Sequence, residues 1–174
     1  MYMRSFYLIL VVLSLTACTG LPEGVQPVDN FDVNRYLGKW YEIARLDHSF
    51  ERGLDNVSAE YTLRDGGGIS VINKGYDTVN KQWKSAKGKA YFVKGENSGH
   101  LKVSFFGPFY GSYVIFDLDD KDYSYAYIAG YDKSNLWLLA RDTTVSDHRL
   151  GEFVKQANKL GFDTSELIYV KHDQ

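Results

Sequence analysis

Apolar and polar residues alternate in short runs from Lys39 onward, and turn-forming residues separate the runs. In the clearest run, NVSAEYTLR, the side chains of Val57, Ala59, Tyr61 and Leu63 fall on one face of an extended strand. Three glycines follow and predict a hairpin turn into ISVINKGYD. Five later runs follow: WKSAKGKAYFV, HLKVSFF, YGSYVIFDL, YSYAYIAGY and NLWLLAR. Together with the strand that starts at Lys39 and the two runs named above, they form a predicted antiparallel meander of eight strands.

One helix is predicted near the C-terminus, over SDHRLGEFVKQANKLG. Ser146 is placed to cap its N-terminus and Gly161 to end it, and apolar residues recur between them at helical spacing. The run NLWLLA is apolar on both faces, as expected of a strand with a filled interior behind it and a helix outside it. A last short strand, ELIYV, completes an all-β architecture with one C-terminal helix.

The fourth predicted strand indicates that the middle of the sheet is not packed solid. Ala86, Gly88, Ala90 and Phe92 share one of its faces. Small residues on an inward face leave space, whereas a sheet that fills its own centre needs bulk there. The strand therefore indicates an internal cavity, and a bend at Gly88 is the alternative interpretation.

Length and composition exclude several classes of protein. The chain of 174 residues suits one domain, and its formal net charge of −2 favours neither a nucleic-acid surface nor a polybasic membrane patch. Tyrosine (14 residues) and phenylalanine (10 residues) are abundant and suit strands with large apolar walls. The single cysteine excludes an intramolecular disulfide and a cysteine metal cluster.

The N-terminus has the pattern of an export signal. Arg4 precedes an apolar run over residues 6–15, which is too short to span a bilayer. Leu15-Thr16-Ala17-Cys18 resembles the bacterial lipobox, and this resemblance implies a lipoprotein signal peptide over residues 1–17 and acylation of Cys18. The alternative is an ordinary secretion signal that is cut elsewhere and leaves a free thiol.

The lipobox resemblance also implies a location. The residue after Cys18 is Thr19 rather than aspartate, which in bacterial lipoproteins favours the outer membrane, with the protein facing the periplasm. Residues 18–30 are interpreted as the lipidated N-terminus and a tether, because two prolines and a glycine discourage regular structure there. The folded domain is then expected over residues 31–174.

Two motifs narrow the choice among closed barrels. Gly38-Lys39-Trp40 resembles the motif that opens the first strand of lipocalins, and Arg141 matches the arginine at the end of their eighth strand. A third lipocalin motif is present only in degenerate form, as Gly130-Tyr131-Asp132. The resemblance to bacterial outer-membrane lipocalins implies an eight-stranded up-and-down barrel, and it continues over FERG, INKGY, GKAYF and KVSFFGPFYG.

The resemblance implies that the barrel cavity binds small hydrophobic ligands and stores or transports them. In bacterial lipocalins these are fatty acids or lysophospholipids, and each buried methylene of an acyl chain favours binding by about 0.8 kcal/mol. The expected partners are such a lipid and the outer membrane, and the resemblance also allows a homodimer. The residues expected to contact the ligand are Glu42, Ala44, Phe50, Tyr61, Ala90, Phe92, Val103, Phe105, Tyr113 and Trp137.

Glu42 is the unusual member of this set. Strand alternation places Trp40, Glu42 and Ala44 on one face, so that a carboxyl group points into the cavity. Such a group must be paired, hydrogen-bonded or protonated. We hypothesise that tyrosine hydroxyls hold it and that its charge favours lysophosphatidylethanolamine over a free fatty acid; the alternative is a hydrogen bond to water or to a neighbouring side chain.

No catalytic, metal or cofactor site is predicted. The sequence has neither Gly-any-Ser-any-Gly nor His-Glu-any-any-His, and its four histidines lack the spacing of metal ligands. We therefore expect a binding protein, not an enzyme. Two rival functions stay open: a lipid-anchored docking module of the cell envelope with an incidental cavity, and a carrier of a flat molecule such as a tetrapyrrole.

Overall fold

The computed structural model describes residues 19–173, so the predicted signal peptide over residues 1–17 and the predicted acylation of Cys18 lie outside the described residues. None of the helices in the described range is long and apolar enough to cross a membrane. The helices are α1 (Val33–Tyr36) and α2 (Asp147–Lys159), with a 3-10 turn at Thr164–Glu166. The strands are β1 (Gly38–Arg45), β2 (Leu54–Leu63), β3 (Ile69–Asp77), β4 (Gln82–Phe92), β5 (His100–Ser104), β6 (Gly111–Leu118), β7 (Tyr125–Ala129), β8 (Leu136–Ala140) and β9 (Ile168–Tyr169).

The barrel closes through β1. Strands β2 to β8 pair antiparallel in chain order. The first half of β1, from Gly38 to Tyr41, pairs with β2, and the second half, from Tyr41 to Arg45, pairs with β8. The predicted eight-stranded up-and-down barrel is confirmed, and the short final strand β9 pairs with the end of β1 outside it.

The alternating strand directions give the barrel two different ends. The turns that follow β1, β3, β5 and β7 gather at one end, which we call the mouth: residues 46–53, 78–81, 105–110 and 130–135. The opposite end, which we call the floor, carries α1 and the turns that follow β2, β4 and β6.

Among the described residues, two apolar clusters lie on the two faces of the barrel wall. The inner cluster fills the floor half of the barrel around Trp40. In the outer cluster, Leu136 and Leu138 of β8 pack against Phe153 and Ala157 of α2, and all four are buried. Burying each leucine stabilises the fold by about 1.5–3 kcal/mol. The prediction that β8 lies between a filled interior and a helix is confirmed.

The floor is closed by a stacked pair of side chains. The guanidinium of Arg141 lies 3.9 Å from the centre of the Trp40 ring. Its Nη1 donates to the carbonyl of Lys39 at 2.8 Å, and its Nη2 donates to the carbonyl of Arg35 at 2.7 Å. Trp40 itself donates through Nε1 to the carbonyl of Tyr36 in α1 at 2.8 Å. These contacts tie β1, β8 and α1 together across the end of the barrel, as the resemblance implied for Trp40 and Arg141.

The segment before α1 is not a free tether. We call residues 19–31 the N-terminal strap, because they pack along the outside of the barrel. Val25 is fully buried in the outer cluster, and the Val28 amide donates to the Ile115 carbonyl of β6 at 2.9 Å. Phe31 is buried at the floor. The prolines and glycine exclude regular structure, as predicted, but the apolar residues between them still bind the barrel surface.

Removing the floor contact should destabilise the protein strongly. Arg141→Ala removes the cation–π contact and several charge-assisted hydrogen bonds, and we expect it to lower the free energy of unfolding by about 3 kcal/mol. Arg52→Ala is the matched control, because Arg52 is exposed and paired only with Asp47 at the surface, where an ion pair contributes little. Chemical denaturation measures both variants. Equal stability of the two would contradict the role given to the Arg141–Trp40 pair.

Candidate functional site

The barrel contains a cavity that opens at the mouth. Its inner part has a volume of about 90 Å³ and continues at the mouth into a wider space of about 630 Å³, which shares Phe50, Glu51 and Trp137 with it. The wider space is in the size range of small-molecule sites. The cavity wall is mostly apolar. Besides the residues predicted from the sequence, the apolar wall includes Val57, Ala59, Ile69, Val71, Leu101 and Leu139.

The structure brings together most of the residues predicted to contact a ligand. Two of the ten do not line the cavity. Phe92 lies lower, at the floor, with its ring centre 6.2 Å from that of Phe31. Ala44 lies outside the barrel in the outer cluster, so the prediction for Ala44 is wrong. The eight residues that line the cavity are Glu42, Phe50, Tyr61, Ala90, Val103, Phe105, Tyr113 and Trp137.

A β-bulge explains the error at Ala44. Glu42 pairs with Leu139 of β8, but Ala44 already pairs with Leu138, so that Ile43 is an extra residue on β1. A bulge reverses the alternation of side chains after it. Ala44 therefore faces α2, and Arg45, which simple alternation places outside, faces inward.

The inward turn of Arg45 builds a buried charged cluster on the cavity wall. Arg45 Nη1 lies 2.7 Å from Glu42 Oε1, and the two side chains are only 2% and 4% exposed. Arg45 Nη2 donates to the carbonyls of Glu51 at 2.9 Å and Leu54 at 3.3 Å. The guanidinium thus joins the wall of the barrel to the first mouth turn.

Glu51 is the second carboxyl group of this cluster. It lies in the first mouth turn and is buried. Its Oε2 accepts a hydrogen bond from Trp137 Nε1 at 3.1 Å and lies 3.1 Å from His48 Nε2. We call Glu42, Arg45, His48 and Glu51 the charged cluster.

The two carboxyl groups of the charged cluster differ in proton affinity. Burial raises the pKa of Glu42 well above its ordinary value, and the nearby Glu51 carboxyl raises it further against the opposing effect of Arg45. Burial also tends to raise the pKa of Glu51. The hydrogen bonds from His48 and Trp137 and the charge of Arg45 nevertheless hold this pKa below its ordinary value. The neutral form is therefore favoured at Glu42 and the charged form at Glu51.

A tyrosine cluster forms the base of the cavity. The Tyr113 hydroxyl lies 2.7 Å from that of Tyr36 and 2.8 Å from that of Tyr61. Burial raises the pKa of all three hydroxyls, so they stay neutral. The hypothesis that tyrosine hydroxyls hold Glu42 is wrong: these hydroxyls bond to one another, and Arg45 holds Glu42.

Aromatic side chains surround the entrance of the cavity. Phe50 is 59% exposed and stacks on the His48 ring, with a centroid distance of 4.0 Å. The Trp137 ring lies 5.0 Å from His48 on the other side. Arg52, in the same turn, donates through Nε and Nη2 to the Asp47 carboxylate.

Sequence reasoning missed Arg45 and Glu51. Arg45 was missed because the bulge at Ile43 has no sequence signal of its own. Glu51 was missed because it lies in a polar turn, whose side chains are expected to face solvent. In residues 19–173, no group of three or more His, Asp or Glu side chains is arranged to hold a metal ion.

Comparisons with known proteins agree with the geometry. The model of the lipocalin-like domain matches residues 31–172. The chain is 57% identical over 169 residues to outer membrane lipoprotein Blc of Vibrio cholerae, covering 97% of this chain and 99% of that protein. It is 51% identical over 150 residues to outer membrane lipoprotein Blc of Escherichia coli, covering 86% of this chain and 84% of that protein.

A solved structure of a distant protein has the same fold. Insecticyanin from the tobacco hornworm, Manduca sexta, superposes with a TM-score of 0.70 at 22% sequence identity. The superposition covers 89% of this chain and 88% of that chain.

The proton on Glu42 predicts how stability depends on pH. Because folding raises the pKa of Glu42, its contribution to stability is present below the ordinary glutamate pKa and is lost as pH rises above it. Because it cannot ionise, the Glu42→Gln variant should lose less stability than the wild type as pH rises from about 5 into the alkaline range. Urea denaturation over this range measures the difference. Glu60→Gln, at an exposed position of β2, is the control and should follow the wild type; parallel curves for wild type and Glu42→Gln would contradict the assignment.

Proposed function

The chain belongs to the lipocalin family, and on that premise we propose that it is a lipid carrier anchored in the outer membrane. It binds lysophospholipids or fatty acids in the barrel cavity and stores or transports them. The observation that carries this proposal is the apolar cavity, which is closed at the floor by Trp40 and Arg141 and open at the mouth. An acyl chain fits such a space because burial of its methylenes needs no precise polar contact.

The charged cluster supports a choice among lipid head groups. The lowered pKa of Glu51 favours a negative charge beside the entrance, and the raised pKa of Glu42 favours its neutral form. A fatty-acid carboxylate near Glu51 is repelled, whereas the ammonium of an ethanolamine head group is attracted. We therefore favour lysophosphatidylethanolamine over a free fatty acid, and the role that the sequence suggested for Glu42 passes to Glu51.

The location follows from the N-terminal motif together with the relatives. Leu15-Thr16-Ala17-Cys18 fits a lipobox, and the relatives from Vibrio cholerae and Escherichia coli are named outer membrane lipoproteins. In this proposal residues 1–17 are removed, Cys18 is acylated, and the barrel faces the periplasm. Three acyl chains on one cysteine suffice for stable anchoring, since two lipid signals normally do.

Filling the cavity should weaken lipid binding. Ala90→Phe places a ring where the acyl chain is proposed to lie, and excluding two methylenes costs about 1.6 kcal/mol, or roughly tenfold in affinity for lysophosphatidylethanolamine. Val103→Phe, nearer the mouth, tests the same effect at a second position. Thr62→Phe is the matched control, because Thr62 is exposed on the outside of β2.

Quenching of tryptophan fluorescence by the lipid measures binding, since Trp137 lines the cavity. Circular dichroism first establishes that each variant is folded. Unchanged affinity in folded Ala90→Phe and Val103→Phe would contradict binding in the cavity, and it would favour the rival function of a docking module with an incidental cavity.

A further inference from the structure

Exposed apolar side chains are concentrated at one end of the molecule. Among residues 19–173, nine large apolar side chains are exposed: Leu63 and Val93 lie toward the floor, and Tyr169 lies on the outer wall beside the end of β1. The other six lie in the mouth turns or beside them: Phe50, Val79, Trp83, Phe106, Phe109 and Tyr131. The surfaces of soluble proteins rarely carry such a concentration of exposed apolar side chains unless they contact a partner or a membrane.

The β5–β6 hairpin is the most apolar part of this end. Residues 105–110 read FFGPFY and contain no charged side chain. Phe106 is 77% exposed and Phe109 is 69% exposed, although the rest of the hairpin borders the cavity. Aromatic side chains of this kind are favoured at the boundary between a bilayer and water.

The N-terminal strap leads from the floor to the same end. The amide of Phe31 donates to the Asn97 carbonyl in a floor turn. Halfway up the wall, the backbone of Val28 forms hydrogen bonds with the backbones of Gly99 and Ile115. Leu21 packs on the outer cluster. The Gly20 carbonyl then accepts a hydrogen bond from the Ser112 hydroxyl, at the mouth end of β6.

This path limits where Cys18 can be. Cys18 is two positions before Gly20 in the sequence, and two steps of extended chain span at most about 7 Å. Ser112 is itself the second residue after the 105–110 hairpin. An anchor attached two positions before Gly20 therefore starts from the mouth end of the barrel and not from the floor.

We propose that the mouth end is a membrane-docking surface, which the acylated Cys18 holds against the phospholipid bilayer so that the cavity opens toward the membrane. The proposal rests on the acylation proposed above and adds an orientation to it. A bilayer is favoured over a second copy of the chain because the anchor and the exposed aromatic residues lie at the same end. A lipid then passes between membrane and cavity without crossing water.

The test uses the full lipidated protein in vesicles of phosphatidylethanolamine and phosphatidylglycerol. Because an acylated Cys18 has no thiol, a cysteine introduced at Phe109 can be labelled with an environment-sensitive fluorophore. Asp65→Cys, in the exposed β2–β3 turn at the floor, is the matched control. Lipids that carry a spin label on the acyl chain report contact with the bilayer by quenching the fluorophore.

We expect a blue shift and strong quenching for the label at 109, and neither for the label at 65. Adding Phe106→Asp to the Phe109→Cys protein should reduce the quenching. Equal quenching at both positions would overturn the proposal. A blue shift at 109 without quenching by lipid would also overturn it, because a second copy of the chain would then cover the surface.

Lysophospholipid binding, measured by tryptophan fluorescence on the same samples, separates this proposal from the proposed function. Binding without quenching at 109 would overturn only the docking orientation. Quenching at 109 without binding would support the orientation and contradict the carrier function.

Discussion

The guanidinium of Arg141 lies 3.9 Å from the centre of the Trp40 ring, and this contact closes one end of the barrel. An eight-stranded barrel is a cup only if one end is blocked. Arg141 blocks it by covering Trp40 and binding the carbonyls of Lys39 and Arg35, which also fixes α1 across the floor. The inner apolar cluster fills the lower half above this pair, so the free space is confined to the half that opens at the mouth.

The bulge at Ile43 decides what the open half can recognise. Without the extra residue, Ala44 would line the cavity and Arg45 would lie in the apolar layer beneath α2. With it, Arg45 enters the wall, binds the Glu42 carboxyl and reaches the carbonyls of the first mouth turn. The cavity wall thereby gains a buried guanidinium beside two carboxyl groups, and the pKa is raised at Glu42 and lowered at Glu51. An otherwise apolar pocket acquires a polarity that can distinguish lipid head groups.

Much of this could be predicted from the sequence, and the failures have local causes. Alternation in NVSAEYTLR, the capped helix after Ser146 and the doubly apolar NLWLLA all act through short-range patterns, and each predicted its element correctly. Seven of the eight cavity residues followed from the same alternation, and Phe50 followed from its place in the first connection. The predicted directions of the Ala44 and Arg45 side chains were wrong because a bulge shifts the alternation by one residue. Glu51 was missed because its burial depends on the fold of a turn. The prediction of a tether at the N-terminus failed for another reason: proline and glycine exclude regular structure, but they do not prevent the residues between them from packing on the barrel.

The central claim is that the open half of the barrel holds a lipid by its acyl chain. A chain that starts at Thr19 includes every helix and strand that the structure describes. Native mass spectrometry on this chain, purified without detergent and followed by lipid extraction, tests the claim most directly. We predict a near-stoichiometric lysophospholipid, with ethanolamine as the main head group. A barrel that is empty, and stays empty when lysophospholipids are added, would contradict it.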